Sequence, residues 1–195
     1  MIALIDYGAG NTASVANSLE DIGAEFIITK KEVEILRADK VIFPGVGEAS
    51  FAVKKLSMLN IFNTLKIIKK PLLGVCLGMQ LLGSFSEEGD TRCLGIFDFE
   101  SKKFDPAKTK VPHMGWNEVE IKKESALFKN IKDKEFFYFA HSYYVPIVDE
   151  TSATAVHGLE FSSSIEKNNF YGVQFHPEKS GEAGLQILKN FVELC

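Results

Sequence analysis

A cysteine stands between two glycines in Gly74-Val75-Cys76-Leu77-Gly78, after an apolar run and before a helix-like one. The stretch has the form of a nucleophile elbow, G-x-S-x-G, with a thiol in place of the hydroxyl. In such an elbow a sharp strand-to-helix turn lifts the central side chain clear of the sheet, and any side chain at Gly74 or Gly78 would crowd neighbouring backbone. A helix starting just after the cysteine favours the thiolate and turns the Leu77 N–H toward a developing oxyanion. By itself the pattern fits a buried cysteine beside two unrelated glycines equally well.

A thiolate nucleophile needs a base, and of the 4 histidines only His176 lies in a segment that positions it. In "GVQFHPEKSG", residues 172–181, His176 and Glu178 are two apart at the end of a strand-like run, so both side chains project to one face. Pro177 between them fixes φ and removes a competing donor. A carboxylate there can hold the imidazole in one tautomer and stabilise its charged form. Without a nearby nucleophile the same residues read as a surface His–Pro turn; with Cys76 the catalytic reading gains. His113 and His141 read as hydrogen-bonded structural groups near a site, and His157 as a strand-end residue facing water.

These side chains need a scaffold. "MIALID" (1–6), "AEFIIT" (24–29), "KVIFPG" (40–45) and "LLGVC" (72–76) read as strands, alternating with helical segments at 12–23, 48–59, 61–70 and 77–85. Such alternation predicts a parallel sheet with helices on both faces. After Cys93 the runs become shorter and richer in aromatic and β-branched residues, at 116–121, 136–145, 151–158, 160–167 and 170–176, which predicts strands, several antiparallel. Helical spacing returns at 181–194. The expected fold is α/β, a mostly parallel open sheet flanked by helices with an antiparallel extension, in one domain spanning 1–195. The polar stretches "EEGDTRC" (87–93) and "FDPAKTKVPHMG" (104–115) read as surface connections. In an α/β sheet, loops at strand carboxyl ends line the ligand crevice, which puts Gly45-Val46-Gly47 beside the cysteine with a peptide N–H for the oxyanion. "YGAGN" (7–11) reads mainly as a turn.

The 26 acidic side chains outnumber the 22 basic ones, and the lysine pairs are short, so no nucleic-acid surface is expected. No apolar run has the length of a membrane span and "MIALIDYGAG" lacks the features of a signal peptide, so a cytoplasmic protein without membrane association is expected. Three cysteines without paired spacing predict neither a disulfide framework nor a zinc site, and Cys93 and Cys195 read as buried small hydrophobes.

"PGVG" (44–47), "GVCLGMQLL" (74–82) and "GVQFHPE" (172–178), in that order, resemble the class I, or triad-type, glutamine amidotransferases. "IDYGAGN", "PHMGWN", "YFAHSYY" and "QFHPEKSG" look like the members that pair with a (β/α)8-barrel cyclase in histidine biosynthesis. The resemblance runs from end to end. It implies a flavodoxin-like sheet and hydrolysis of L-glutamine to glutamate and ammonia through a cysteine thioester, with no cofactor and no metal. Cys76 would be nucleophile, His176 acid/base and Glu178 its orienter, with the Leu77 N–H and the Val46 region as oxyanion hole. Gln80, Ser142, Tyr143, Gly45 and Gly47 would hold the substrate's amino-acid end. The ammonia would pass, within a heterodimer, to the cyclase that makes imidazole glycerol phosphate and AICAR. Asn11, Trp116, Tyr138 and Lys179 resemble the family's subunit-facing edge; as isolated residues they read as a helix cap, two core aromatics and a solvated lysine. Cys93 and "IFDFE" (96–100) depart from the family's usual sequence. The alternatives are a paralogue that feeds ammonia to a related synthase, and a silent subunit that stabilises a partner; an intact Cys76–His176–Glu178 set argues against the second.

Overall fold

A computed structural model describes all 195 residues. In chain order the first half comprises β1 (Ile2–Ile5), α1 (Thr12–Asp21), β2 (Phe26–Thr29), α2 (Glu32–Arg37), β3 (Lys40–Gly45), α3 (Ala49–Met58), α4 (Ile61–Ile67), β4 (Leu72–Cys76) and α5 (Leu77–Leu81). The short strands β5 (Phe85–Ser86), β6 (Thr91–Arg92) and β7 (Glu100–Lys103) follow. Then come β8 (His113–Ile121), β9 (Glu135–His141), β10 (Tyr143–Tyr144), β11 (Thr151–His157), β12 (Leu159–Lys167), β13 (Phe170–Val173) and α6 (Gly181–Leu194).

The large sheet has 9 strands in the order β2-β1-β3-β4-β13-β12-β11-β8-β9. Strands β2, β1, β3, β4 and β13 run parallel, and β12, β11, β8 and β9 extend the sheet by antiparallel pairing. This is the expected α/β arrangement. Alternation along each strand divides the core: Ile2 and Leu4 of β1 join the cluster under α1 and α6, and Ala3 and Ile5 join the one under α2, α3 and α4. A second, 4-stranded sheet, β10-β7-β5-β6, lies alongside. The chain passes from β9 to β10 through Ser142, so the residues at that crossing are held by both sheets.

Several segments depart from the sequence reading for identifiable reasons. Helix α2 escaped it because it is six residues long and buries only Ile35. Helix α5 stops at Leu81, where Leu82 and Gly83 bond to Met79 and Gln80 and the ring of Phe99 closes over Gly83. The "IFDFE" departure is core, with Phe97 and Phe99 buried, and Phe104 of the second presumed surface connection is 1% exposed. Cys195 is only half-buried, unlike Cys93. His157 ends β11 partly exposed, as expected, but its ring also stacks on His113 at 4.1 Å between centroids and its Nε2 meets the Lys110 carbonyl at 2.7 Å. No helix is long and apolar enough to cross a membrane.

Candidate active site

Strand β4 ends at Cys76 and α5 begins at the next residue, so the cysteine occupies the turn itself, at φ 55° and ψ −111°. Positive φ is costly for a non-glycine residue, and such strain persists where the surrounding structure enforces it. Here the enforcement is backbone against backbone. A methyl group at Gly74 would sit 2.8 Å from the Gly78 carbonyl, one at Gly45 2.7 Å from the Gly78 nitrogen, and one at Gly78 would overlap the Phe43 carbonyl oxygen. The glycines let β3, β4 and α5 close on one another, as the elbow reading requires. Gly78→Ala should therefore destabilise the chain by about 3 kcal/mol in urea unfolding. At Gly47, with φ +90° and open space where a Cβ would sit, alanine should cost only the backbone strain, about 1–2 kcal/mol. Equal midpoints for the two variants would contradict this packing.

The triad candidates come together. Nδ1 of His176 is 2.9 Å from Oε1 of Glu178, and both side chains are almost fully buried. The route differs from the expected strand alternation. Strand β13 ends at Val173, the His176 N–H then bonds to the Tyr138 carbonyl at 2.8 Å, and Glu178 lies in a 3-10 turn, Pro177–Lys179. It is this turn that folds the carboxylate back onto the imidazole. Burial pulls the His176 pKa down, but the Cys76 sulfur, through charge and hydrogen bonding, and then Glu178 outweigh it and push it up to about 10. The direction of the shift favours the imidazolium form. The direct contacts of the Cys76 sulfur are to the Ala140 carbonyl at 3.9 Å and the Gln174 amide at 3.6 Å, so its coupling to His176 is chiefly one of charge.

Cys76, Leu77, Val46, Gly47, Gln80, Ser142 and Tyr143 line one cavity of about 180 Å³. Gly45 is not among the lining residues; it packs behind them, against Leu77 and the Tyr7 hydroxyl. Gln80 is buried, and its Nε2 donates to the Tyr143 carbonyl at 2.8 Å and to Oε1 of Gln174 at 2.9 Å. That leaves the Gln80 carbonyl oxygen for a ligand.

Sequence reasoning missed four contributors. Gln174 was within the quoted "GVQFHPE" but carries no chemical signature of its own. Pro112 and Met114 reach the cavity from the second presumed surface connection, and Glu88 from the first. The Glu88 carboxylate is half-buried and accepts from the Ala49 N–H at 2.9 Å. Burial raises its pKa, the Ala49 bond opposes this, and Glu48 adds to it. A carboxylate so placed is a ready partner for a cation.

The four edge candidates also converge. Asn11 precedes α1 without capping it; its amide donates instead to Oε1 of Glu178 at 3.2 Å. The Lys179 ammonium stands 5.7 Å over the Tyr138 ring, which meets Trp116 edge-on at 6.2 Å. Trp116 is 57% exposed and therefore not a core aromatic. Register places it beside Met114 and near Phe136 on one face of β8 and β9, and both of these are also exposed.

A cysteine at a strained strand-to-helix turn, coupled to a buried histidine–carboxylate pair beside a small cavity of mixed apolar and polar lining, defines a thiol hydrolase site on an α/β sheet. The chain belongs to the class-I glutamine amidotransferase family, whose pattern matches residues 3–195. It is 51% identical over 195 residues, 99% of each chain, to "Imidazole glycerol phosphate synthase subunit HisH" of Bacteroides fragilis (strain YCH46). The protein of the same name from Vibrio parahaemolyticus is 44% identical over 199 residues, 99% of this chain and 98% of that one. Among solved structures, one described as a glutamine amidotransferase shares the fold at TM-score 0.73 with 16% identity, over 100% of this chain and 98% of the other. Another, a glutamine amidotransferase from Thermotoga maritima, matches at TM-score 0.65 with 17% identity, over 98% and 80%.

Proposed function

We propose that this chain is the glutaminase subunit of an imidazole glycerol phosphate synthase, one domain over residues 1–195 acting in the cytoplasm as half of a heterodimer. It hydrolyses L-glutamine to glutamate and ammonia, and the ammonia passes to a (β/α)8-barrel cyclase that makes imidazole glycerol phosphate and AICAR. The observation that carries the reading is the Cys76 elbow coupled to the buried His176–Glu178 pair.

In this reading the Cys76 sulfur attacks the side-chain amide carbon of glutamine. The developing oxyanion takes the Leu77 N–H and an N–H from the Gly45-Val46-Gly47 segment. The His176 imidazolium gives its proton to the departing nitrogen, and ammonia leaves a thioester on Cys76. His176, now neutral, takes a proton from water as that water attacks the thioester; collapse releases glutamate and restores the starting pair. Glu178 accepts a hydrogen bond from Nδ1–H throughout and so keeps Nε2 turned to the reaction. At the far end of the cavity Glu88 receives the substrate ammonium, while the Gln80 carbonyl and the Ser142–Tyr143 backbone hold the rest of the amino-acid end.

Glu88→Gln tests that placement. Glutamine keeps an oxygen for the Ala49 N–H, so the unfolding midpoint should hold, whereas KM should rise about 10–100-fold with kcat little changed. An unaltered KM would remove Glu88 from the substrate site. The function as a whole is tested by glutamate release and cyclase product formation with the purified partner. Failure to co-purify with a barrel cyclase, or to support its glutamine-dependent reaction, would reject the assignment.

A further inference from the structure

From His141, which lines the cavity, a chain of polar contacts that the triad does not use runs back into the core. The Asn117 amide donates to Nε2 of His113 at 3.1 Å, Nδ1 of His113 meets Nε2 of His141 at 2.9 Å, and Nδ1 of His141 meets the Tyr143 carbonyl at 2.7 Å. The direction is fixed from the end. A carbonyl only accepts, so His141 carries its proton on Nδ1 and its Nε2 is a lone pair. His113 must then carry its proton on Nδ1, leaving Nε2 to accept from Asn117. Both rings are buried and wedged among Phe104, Phe139 and Phe161.

We propose that His113 and His141 are positioning residues of the glutamine site: two neutral imidazoles that pin the Tyr143 carbonyl, and with it the Gln80 amide and the Ser142–Tyr143 backbone that face the substrate. This rests on the glutaminase reading for the identity of the substrate, but the relay itself does not. The Tyr143 carbonyl is where both networks end, because the Gln80 amide donates to it as well and continues through Gln174 to the Cys76 sulfur. Losing the His141 donor frees that carbonyl to rotate and takes the register of Gln80 with it.

Neutrality is required, since a second proton on His141 would set N–H against N–H at His113. The surroundings supply it. Burial, with His157 nearby, holds His113 down at about 4. For His141 burial outweighs the Tyr143 bond and, with His113, His157 and His176, holds it at about 3. No carboxylate acts on either ring. The relay therefore stays intact across the neutral range, in contrast to His176.

Two measurements on the full-length chain test this. Long-range ¹H–¹⁵N spectra of the histidine-labelled protein should show His113 and His141 as Nδ1–H tautomers, unchanged from about pH 8 to about pH 5.5. His157, whose Nε2 donates to a carbonyl, provides the opposite tautomer as an internal contrast. An Nε2–H form of His113 or His141, or titration of either in that range, overturns the relay whatever the substrate is. In the second, His141→Leu should raise KM for glutamine about 10–30-fold while the stoichiometry of Cys76 alkylation stays at one, and His141→Asn, which keeps a donor near the Nδ1 position, should recover most of the loss. Unchanged KM in the leucine variant, or equal defects in both variants, overturns the positioning role. If the chain hydrolyses no glutamine at all, the functional reading fails while the tautomers still decide the relay.

Discussion

Cys76→Ala should lower glutamine-dependent product formation by about 10⁵–10⁶-fold while leaving the partner's reaction with added ammonium salt intact. The thioester cannot form without the sulfur, and no other nucleophile lines the cavity at that position: the remaining lining groups are apolar, amide, carboxylate, imidazole or hydroxyl side chains on other elements. The fold should tolerate the change. Alanine removes one buried atom from a site whose geometry is enforced by Gly45, Gly74 and Gly78, and it meets the same backbone strain at φ 55° that the cysteine already bears. The variant also separates the two halves of the chemistry, because ammonium bypasses only the glutaminase step. Urea midpoints within about 1 kcal/mol of the parent would show that the loss is chemical. Glutamate release persisting in the variant would reject Cys76 as nucleophile.

The parts of this site that could be read from sequence are those built by local rules. Strands β3 and β4 announce themselves as apolar runs, and the Gly74–Gly78 frame carries the steric requirement of the turn within five residues. His176 and Glu178 are two residues apart, so their meeting was legible even though a 3-10 turn, rather than strand alternation, produces it. What was not legible depends on which strands lie side by side. Gln174 meets Gln80 across 94 positions of sequence and His113 meets His141 across 28. Neither pairing follows from residue type, because a glutamine or histidine in a strand is ordinary until its neighbour is known. Glu88 was hidden differently, in a polar stretch whose composition reads as surface although its carboxylate turns inward to Ala49 and the cavity. Trp116 and Tyr138 show the converse: as single residues they suit a core, and only the β8–β9 register shows Trp116 lying on an exposed face.

The isolated chain should be a poor glutaminase that its docked, substrate-loaded partner activates about 100–1,000-fold, mainly in kcat, because what is missing is one oxyanion donor. The Gly45-Val46-Gly47 segment is suited to supply it. Val46 is 38% exposed, Gly47 sits at φ +90°, and neither N–H makes a backbone hydrogen bond. A peptide so lightly held can turn an N–H toward the cavity at little cost in packing, whereas the elbow beside it is locked by backbone contact. The edge that would feel a partner is also continuous with the catalytic pair. Asn11 donates to the same Glu178 oxygen that faces His176, and Lys179, next in sequence, reaches over Tyr138 to Trp116. Docking on the exposed Trp116 face would thus act on residues one contact away from His176, where uncoupled hydrolysis would waste ammonia. A donor that forms only as charge develops on the oxygen stabilises the transition state and leaves ground-state binding alone, so KM should shift far less than kcat. The measurement is glutamate release by the purified chain, titrated first with the cyclase and then with an analogue of the cyclase's substrate. Full turnover in the free chain, unchanged on complex formation, would refute the coupling; a change confined to KM would place the partner's effect on substrate binding and remove the oxyanion donor as its cause.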